Sequence, residues 1–368
     1  MLKYIYEHKH WTGFTWDDKA INTVFGEVRL MQGKIIGQMN ALGFSAKEEA
    51  TLTALTLDVV KSSEIEGEML NYDQVRSSIA RRLGINTAGL VPGSRHIEGV
   101  VEMMLDATQR YNLPLTEKRL FGWHAALFPT GHSGPYEIEV GKYRTGKMQV
   151  VSGAMGKEKV HYEAVKPGRV KTEMDKFLDW FNNDDKLDAV LKAAIAHFWF
   201  IIIHPFDDGN GRIVRAITDM LLARAEGSGE RFYSMSAQIL EERKGYFEIL
   251  QKVQHSTGDI TGWLEWFLHC LKNAMLATEN ITQKILRKAE FWKQHDHTPI
   301  NERQRLVLNK LFDGFEGKLQ TSKWAKITKI STDTALRDIK NLVEKGILQQ
   351  TDEGGRNVNY KLADLKST

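Results

Sequence analysis

The sequence predicts a mainly α-helical protein of several domains with a small β-hairpin near its middle. Three observations carry that expectation. The chain has 368 residues, a length that usually divides among two or three cores. Apolar residues recur at helical spacing through most of it, and only seven prolines interrupt them. One stretch, residues 134–166, breaks the pattern with glycines, valines and tyrosines.

Composition narrows the class. A hydrophobic share of 42% and a charged share of 26% are ordinary for a globular protein. A net charge of +3 is too small for a generic polyanion binder. Cys270, the single cysteine, lies in an apolar stretch and reads as a buried, inert thiol, so a reducing cytoplasm is expected. The opening MLKYIYEHKHW lacks the apolar run of a signal peptide. Residues 193–203 form the longest apolar segment. They reach roughly half a bilayer span and are interrupted by His197, so they predict a buried helix and no membrane.

The elements follow in order. Residues 18–83 alternate apolar stripes with charged faces, and 95–128 predict two further helices, the second starting at Pro114 and Thr116. Residues 148–152 and 159–163 flank a glycine-bearing turn and predict a hairpin. Helical spacing resumes from Arg169 to about Lys288. A different module then begins: a helix over 301–312, a second over 322–329, and a third capped by Ser331. The third carries Ala335, Leu336, Ile339, Leu342 and Val343 on one face and ends at Gly346. A hairpin-like tail turning at Gly354 and Gly355 completes a winged-helix pattern. The expected domains are 1–90, 91–290 and 296–368.

The most informative stretch is HPFDDGNGRIVR, residues 204–215. An apolar helix ends at Pro205, two acids and a Gly-Asn-Gly turn follow, and a new helix starts at Arg212. Gly209 and Gly211 allow close backbone approach, and the N–H groups at a helix start favour an anion. Arg212 and Arg215, three apart, share a helix face and can fork phosphate groups. Asp208 suits a magnesium ion that completes its shell with phosphate oxygens. Asn210 can donate its amide to a phosphate, and His204 can accept a proton near neutral pH. His197, one heptad earlier, reads as a hydrogen-bonded structural histidine. Together these residues point to phosphoryl or nucleotidyl transfer.

A second feature lies upstream. Leu52, Leu55, Val59, Ser62 and Glu66 follow spacings of three and four, which puts Glu66 on an apolar face just before Gly67. A carboxylate buried there needs a partner, and Arg212 and Arg215 are both candidates; the alternative is a solvated glutamate at the helix end.

The run at 204–215 matches the Fic signature His-Pro-Phe-x-(Asp/Glu)-Gly-Asn-Gly-Arg-x-x-Arg at every defined position, and the chain resembles the Fic family of protein adenylyltransferases. The resemblance implies that His204 deprotonates a Ser, Thr or Tyr hydroxyl of a target protein, which then attacks the α-phosphate of ATP. It implies that Asp208 holds magnesium and that Gly209, Asn210, Gly211, Arg212 and Arg215 serve the phosphates. Phe206 is the core-anchoring aromatic, and Asp207 fills the variable position without an assigned role. Ser62, Glu66 and Gly67 meet the family's inhibitory motif (Ser/Thr)-x-x-x-Glu-(Gly/Asn). The glutamate is then expected to pair with Arg215 and misplace the ATP γ-phosphate. Whether it also positions a water for removal of AMP stays open.

The hairpin lies where the family has a flap that takes a target segment by strand addition, through Val150, Val151 and Ser152. Tyr246 and Phe247 stand where relatives often show a tyrosine pair lining the adenine pocket, which places Tyr246 on the nucleotide. The further runs SSEIEGEML, VRSSIARRLGI, GWHAALFPTGHSG and GKLQTSKWAKIT are similar to a Fic subgroup with an N-terminal helical domain and a C-terminal winged helix. Members of that type often dimerise.

Residues 301–368 hold 13 Lys and Arg against 9 Asp and Glu, so the basic excess sits on the last module. Arg337, Lys340 and Arg356 would face DNA, although winged helices also dock proteins. A winged-helix DNA-binding regulator with a nucleotide-sensing Fic core is therefore the alternative reading. Transfer of a phosphate or UMP in place of AMP is a third.

Overall fold

The structure, a computed structural model, describes residues 3–40, 44–85, 91–152, 159–184, 186–312, 315, 317–351 and 358–363. Helices dominate it. In chain order they are α1 (Asp18–Asn40), α2 (Phe44–Ile65), α3 (Tyr72–Leu83), α4 (Arg95–Gln109), α5 (Glu117–Leu127), α6 (Pro167–Asn183), α7 (Ala189–Ile203), α8 (Asn210–Glu226), α9 (Met235–Glu241), α10 (Arg243–Val253), α11 (Thr261–Gln294), α12 (Glu302–Phe312), α13 (Thr321–Thr328) and α14 (Thr332–Glu344). Three two-stranded antiparallel sheets interrupt them: β1 (His132–Ser133) with β2 (Tyr136–Glu137), β3 (Gln149–Ser152) with β4 (Lys159–Glu163), and β5 (Leu348–Gln350) with β6 (Tyr360–Leu362). The sequence pattern anticipated these helices and the last two hairpins. It did not anticipate β1 and β2, whose two-residue strands are too short for a period to register.

The chain forms two compact units; the second begins at Glu279 and also takes in Phe44–Ala46. The first is built around α7 and α8, which pack on each other across the six-residue loop 204–209. Thirteen of the 15 residues of α7 are buried, so apolar side chains on every face read as a central helix rather than a membrane span. No helix among the described residues is long and apolar enough to cross a membrane. Cys270 is fully buried, and burial raises its thiol pKa well above the usual value, which keeps the sulfur protonated and unreactive.

Caps fix where the helices of this unit begin. Asn71, Ser94, Thr116, Asp188 and Ser234 each accept a backbone N–H with the side chain at the start of α3, α4, α5, α7 and α9. The N-terminus of α8 differs: Gly209 is its cap, with no side chain to offer.

In the second unit, α12, α13 and α14 precede β5 and β6, and Leu319 bridges to Tyr360 beside them. Val307, Leu308, Trp324, Ile339, Leu342 and Ile347 form its core. Ser331 caps α14 by accepting from the Thr334 N–H, as its sequence position suggests. The expected turn at Gly354 and Gly355 lies outside the described residues.

Candidate active site

The loop between α7 and α8 is held by its own side chains. His204 ends α7 with φ 51° and ψ 62°, a left-handed conformation that a histidine adopts only when its surroundings impose it. Its N–H still bonds Phe200 O at 3.0 Å. Asn210 closes the loop: its Oδ1 accepts the Phe206 N–H at 3.0 Å and its amide donates to Phe206 O at 2.8 Å. One N–H of the Asn210 amide thus closes the loop, and the second remains to serve a phosphate as its sequence position suggests. Phe206 is fully buried and stacks on His124 with ring centroids 4.4 Å apart, so it anchors the loop in the core.

Two residues that sequence reasoning passed over hold this loop from outside. His124 accepts the Gly141 N–H at Nδ1, 3.1 Å, so its Nε2 carries the proton and donates to Asp208 O at 3.2 Å. Arg144, 2% exposed, donates Nε to His204 O at 2.7 Å, Nη1 to Gly146 O at 2.8 Å, and Nη2 to Val165 O and Ile203 O. One guanidinium therefore ties the base of the β3–β4 hairpin to the backbone of His204. No spacing rule picks out either residue, because both act on backbone carbonyls far away in sequence. Arg144→Met should lower stability by roughly 2–4 kcal/mol, since it leaves several buried carbonyls without a donor; urea unfolding measures this, and an unchanged midpoint contradicts the tie. Asp207, which had no role assigned, accepts the Glu139 N–H at 3.2 Å.

The imidazole of His204 is set up as a base. Its Nδ1 lies 3.3 Å from Ile201 O, and a carbonyl can only accept, so Nδ1 carries the proton and Nε2 keeps its lone pair. Burial lowers its pKa below the usual value, so the ring is neutral at pH 7. His197 is fully buried in a closed chain of bonds. Tyr246 Oη donates to its Nε2 at 2.9 Å, its Nδ1 donates to Thr218 Oγ1 at 2.9 Å, and Thr218 donates to Val214 O at 2.8 Å. Every polar atom in the chain is used, so His197 is structural.

Burial pushes His124 down to about 4 and His197 to about 3. The unfolded chain protonates both near 6.5, so below that pH it binds protons that the folded chain refuses. Stability is then expected to fall as pH drops from 6.5 towards 4, by up to about 1.4 kcal/mol per pH unit for each histidine. Denaturant midpoints at pH 7 and pH 5 check this, and equal midpoints contradict it.

The anion-binding features sit at the start of α8. Gly209 has φ 78°, which aims the first N–H groups of the helix at the loop, and no side chain caps them. Arg212 and Arg215 are 5% and 2% exposed. The Nε of Arg212 is buried without a hydrogen-bond partner among the described residues. Asp208 accepts the Gly209 N–H at Oδ1, 2.6 Å, and the Ser133 hydroxyl at Oδ2. These bonds orient the carboxylate and leave lone pairs on both oxygens. No group of three or more His, Cys, Asp or Glu among the described residues could hold a metal unaided. One oriented carboxylate beside an uncapped helix start and two buried arginines fits magnesium that completes its shell with phosphate oxygens.

The end of α2 meets these arginines. Arg215 Nε donates to Ser62 Oγ at 2.8 Å, and Nη2 donates to Ser62 O and Glu66 Oε1, both at 2.7 Å. Glu66 itself is not buried: it lies one residue past the helix, and its side chain is 37% exposed. The apolar stripe over-extended the helix by one residue; the buried charge that needs a partner is Arg215. A Cβ on Gly211 would come within 2.0 Å of Glu66 Oε1, so glycine there is what lets the carboxylate reach the helix start. Behind α2, Arg243 donates Nη2 to Ile65 O at 3.1 Å and lies 5.5 Å from the Phe247 ring.

Tyr246 does not face an open site. It is 2% exposed and its hydroxyl is engaged by His197, whereas Phe247 beside it is 46% exposed. Successive residues of α10 point in different directions, so only one of the pair can look outward, and it is Phe247. In the hairpin, Val150 is 39% exposed and pairs with Tyr162, Ser152 pairs with Lys159, and the register shifts between Val150 and Val151. Tyr162 anchors the hairpin by donating to Ile202 O at 2.6 Å. The expected tip beyond Ser152 lies outside the described residues.

Residues 114–222 match the Fic/DOC family model, and residues 4–85 match a domain of unknown function, DUF4172. A protein adenylyltransferase Fic of Drosophila willistoni is 27% identical over 248 residues, covering 66% of this chain and 46% of that protein. Its counterpart in Nematostella vectensis is 25% identical over 236 residues, covering 61% and 49%. The chain spans about half the length of the curated relatives it matches. A crystal structure of a Fic family protein from Desulfovibrio desulfuricans G20 aligns with TM-score 0.53 at 20% identity over 95% of this chain and 97% of that one. A Fic domain containing signaling protein from Bacteroides thetaiotaomicron VPI-5482 aligns with TM-score 0.52 at 21% identity, covering 72% and 97%. These two likenesses concern the fold.

Proposed function

We propose that this chain, which carries a Fic domain over residues 114–222, transfers AMP from ATP to a hydroxyl of a protein and is held back by its own Glu66. The observation that carries the reading is the pairing, in one loop, of a neutral His204 with an uncapped helix start and two buried arginines. A base and an anion cradle next to each other are what attack on a phosphate requires. Similarity to relatives named protein adenylyltransferase supports AMP as the transferred group.

In the proposed reaction, Nε2 of His204 takes the proton of a target Ser, Thr or Tyr hydroxyl. The hydroxyl oxygen bonds to the α-phosphorus, the bond from that phosphorus to the bridging oxygen breaks, and pyrophosphate leaves. The N–H groups at the start of α8, with Arg212 and Arg215, hold the phosphates. Asp208 would hold magnesium, which supplies further neutralisation of phosphate charge. The open edge of β3 would receive the target segment by strand pairing, with Val150 among its contacts. Phe247, rather than Tyr246, offers the exposed ring for the adenine face.

Incubation with ATP labelled at the α-phosphate, and separately at the γ-phosphate, tests the reading. Protein labelled from the α-position with the mass of one AMP supports it. Label from the γ-position, or a UMP adduct from UTP alone, defeats it.

The second unit favours an additional reading. Its order of three helices and a β-pair fits a winged helix, and Arg337 and Lys340 are exposed on α14. Duplex DNA binding by the full chain that weakens with salt and with R337A/K340A together supports a DNA contact; no binding, or binding indifferent to both, defeats it.

A further inference from the structure

We propose that Glu68 is a second inhibitory carboxylate, which occupies Arg212 as Glu66 occupies Arg215. The proposal rests on the AMP-transfer reading of the loop and concerns its regulation. Glu68 Oε2 accepts from Arg212 Nη1 at 3.0 Å, and Oε1 lies 2.5 Å from His96 Nε2 on α4. The segment Glu66-Gly67-Glu68 thus delivers one acid to each loop arginine.

Geometry makes the two contacts one device. Backbone N–H groups of both Glu66 and Glu68 bond to the same carbonyl, Ser63 O, at 3.1 and 3.0 Å, so a single turn sets both side chains. His96 Nε2 lies against Oε1, so Oε2 is the oxygen left for Arg212. Arg212 cannot swing away, because it is 5% exposed and its guanidinium lies 5.1 Å from the Phe128 ring. The contact with His96, with Arg212 beyond it, holds the Glu68 carboxyl below its usual pKa, against the opposing effects of partial burial and of the nearby Asp208. Glu68 therefore sits within the field of the same groups that would receive a triphosphate. Its side chain is 38% exposed while Arg212 is 5% exposed, so the pair also gives a buried guanidinium a partner. What it does is cancel positive charge that ATP needs.

It follows that Glu66→Gly opens only half of the anion site. The test uses full-length parent, E66G, E68Q and E66G/E68Q, with ATP and magnesium binding read by calorimetry and AMP labelling read separately. E68Q is expected to tighten ATP roughly five- to tenfold in both backgrounds, a size usual for coupled sites. H96Q, which removes only the support, should shift affinity the same way by less. Affinity in E66G/E68Q equal to that in E66G overturns the proposal. Weaker affinity with an unchanged circular dichroism spectrum also overturns it, because Glu68 would then be orienting Arg212 for phosphate. If ATP tightens but no variant labels protein, the contact stands and the AMP-transfer reading fails. If labelling occurs and E68Q leaves affinity unchanged, the reverse holds.

Discussion

Glu66→Gly is expected to raise AMP labelling, including self-labelling, by between about 5- and 150-fold, the range usual for coupled sites. The argument starts from charge. Arg215 is 2% exposed and keeps three acceptor contacts, of which Glu66 Oε1 supplies the only formal negative charge. A phosphate oxygen would need that same guanidinium, and the carboxylate is already 2.7 Å from Nη2. Removing the side chain frees the cation and also empties the space beside Gly211, where a Cβ would meet the glutamate at 2.0 Å. Ser62 stays in place, so Arg215 keeps two partners and the fold loses little, roughly 1–2 kcal/mol. Labelled ATP with both proteins at equal concentration decides the matter. Equal incorporation would mean that the Glu66–Arg215 pair is structural.

His204→Ala in the Glu66→Gly background is expected to remove labelling by roughly 10²–10⁴-fold, the usual contribution of a positioned base. The imidazole is neutral, its Nδ1 is committed to Ile201 O, and part of its surface is open to solvent, so Nε2 is the free acceptor. The backbone of the residue is held independently, by Arg144 on its carbonyl and Phe200 on its N–H. Truncating the ring should therefore leave ATP affinity within about twofold of the background variant. A drop in affinity equal to the drop in labelling would mean that the loop had collapsed and that the base had not been isolated. Labelling at the background rate would exclude His204 as the base.

Much of this was legible in the sequence, for identifiable reasons. A helix wrapped by apolar residues, a glycine turn and two arginines three apart are local patterns, and α7, the loop and α8 obey them. The Glu66–Arg215 pair was legible because a stripe and a motif agreed, although the helix stops one residue sooner than the stripe suggests. What escaped detection is non-local. His124 and Arg144 act through carbonyls of Asp208, His204 and Val165, and backbone acceptors leave no trace in composition. Glu68 sits beside a motif position yet needs His96 and Arg212 from two other helices to acquire meaning. The loop-closing bonds of Asn210 escaped notice because a residue-type pattern does not show which carbonyl a side-chain amide meets. Tyr246 and Phe247 differ by a direction that a residue-type pattern does not record.

The polar stripe of α2 limits how the contact between Glu66 and Arg215 can be released. Asp58 and Ser62 are four apart on one side of the helix, and Glu66, four further on, lies one residue past its end. Asp58, fully buried, accepts Ser234 Oγ at 2.6 Å and the Ser236 N–H at 3.2 Å, while Ser62 and Glu66 meet Arg215. Sliding α2 by one turn, about 5.4 Å, would break all of these contacts together and leave the buried Asp58 carboxylate without its donors. Rigid-body travel is therefore closed to this helix, and the passable route is unwinding from its C-terminal end. Hydrogen exchange would show that route directly: amides at Glu66 to Glu68 exchanging fast, those around Val59 exchanging only on global opening, and a sharp boundary between them near Ser62.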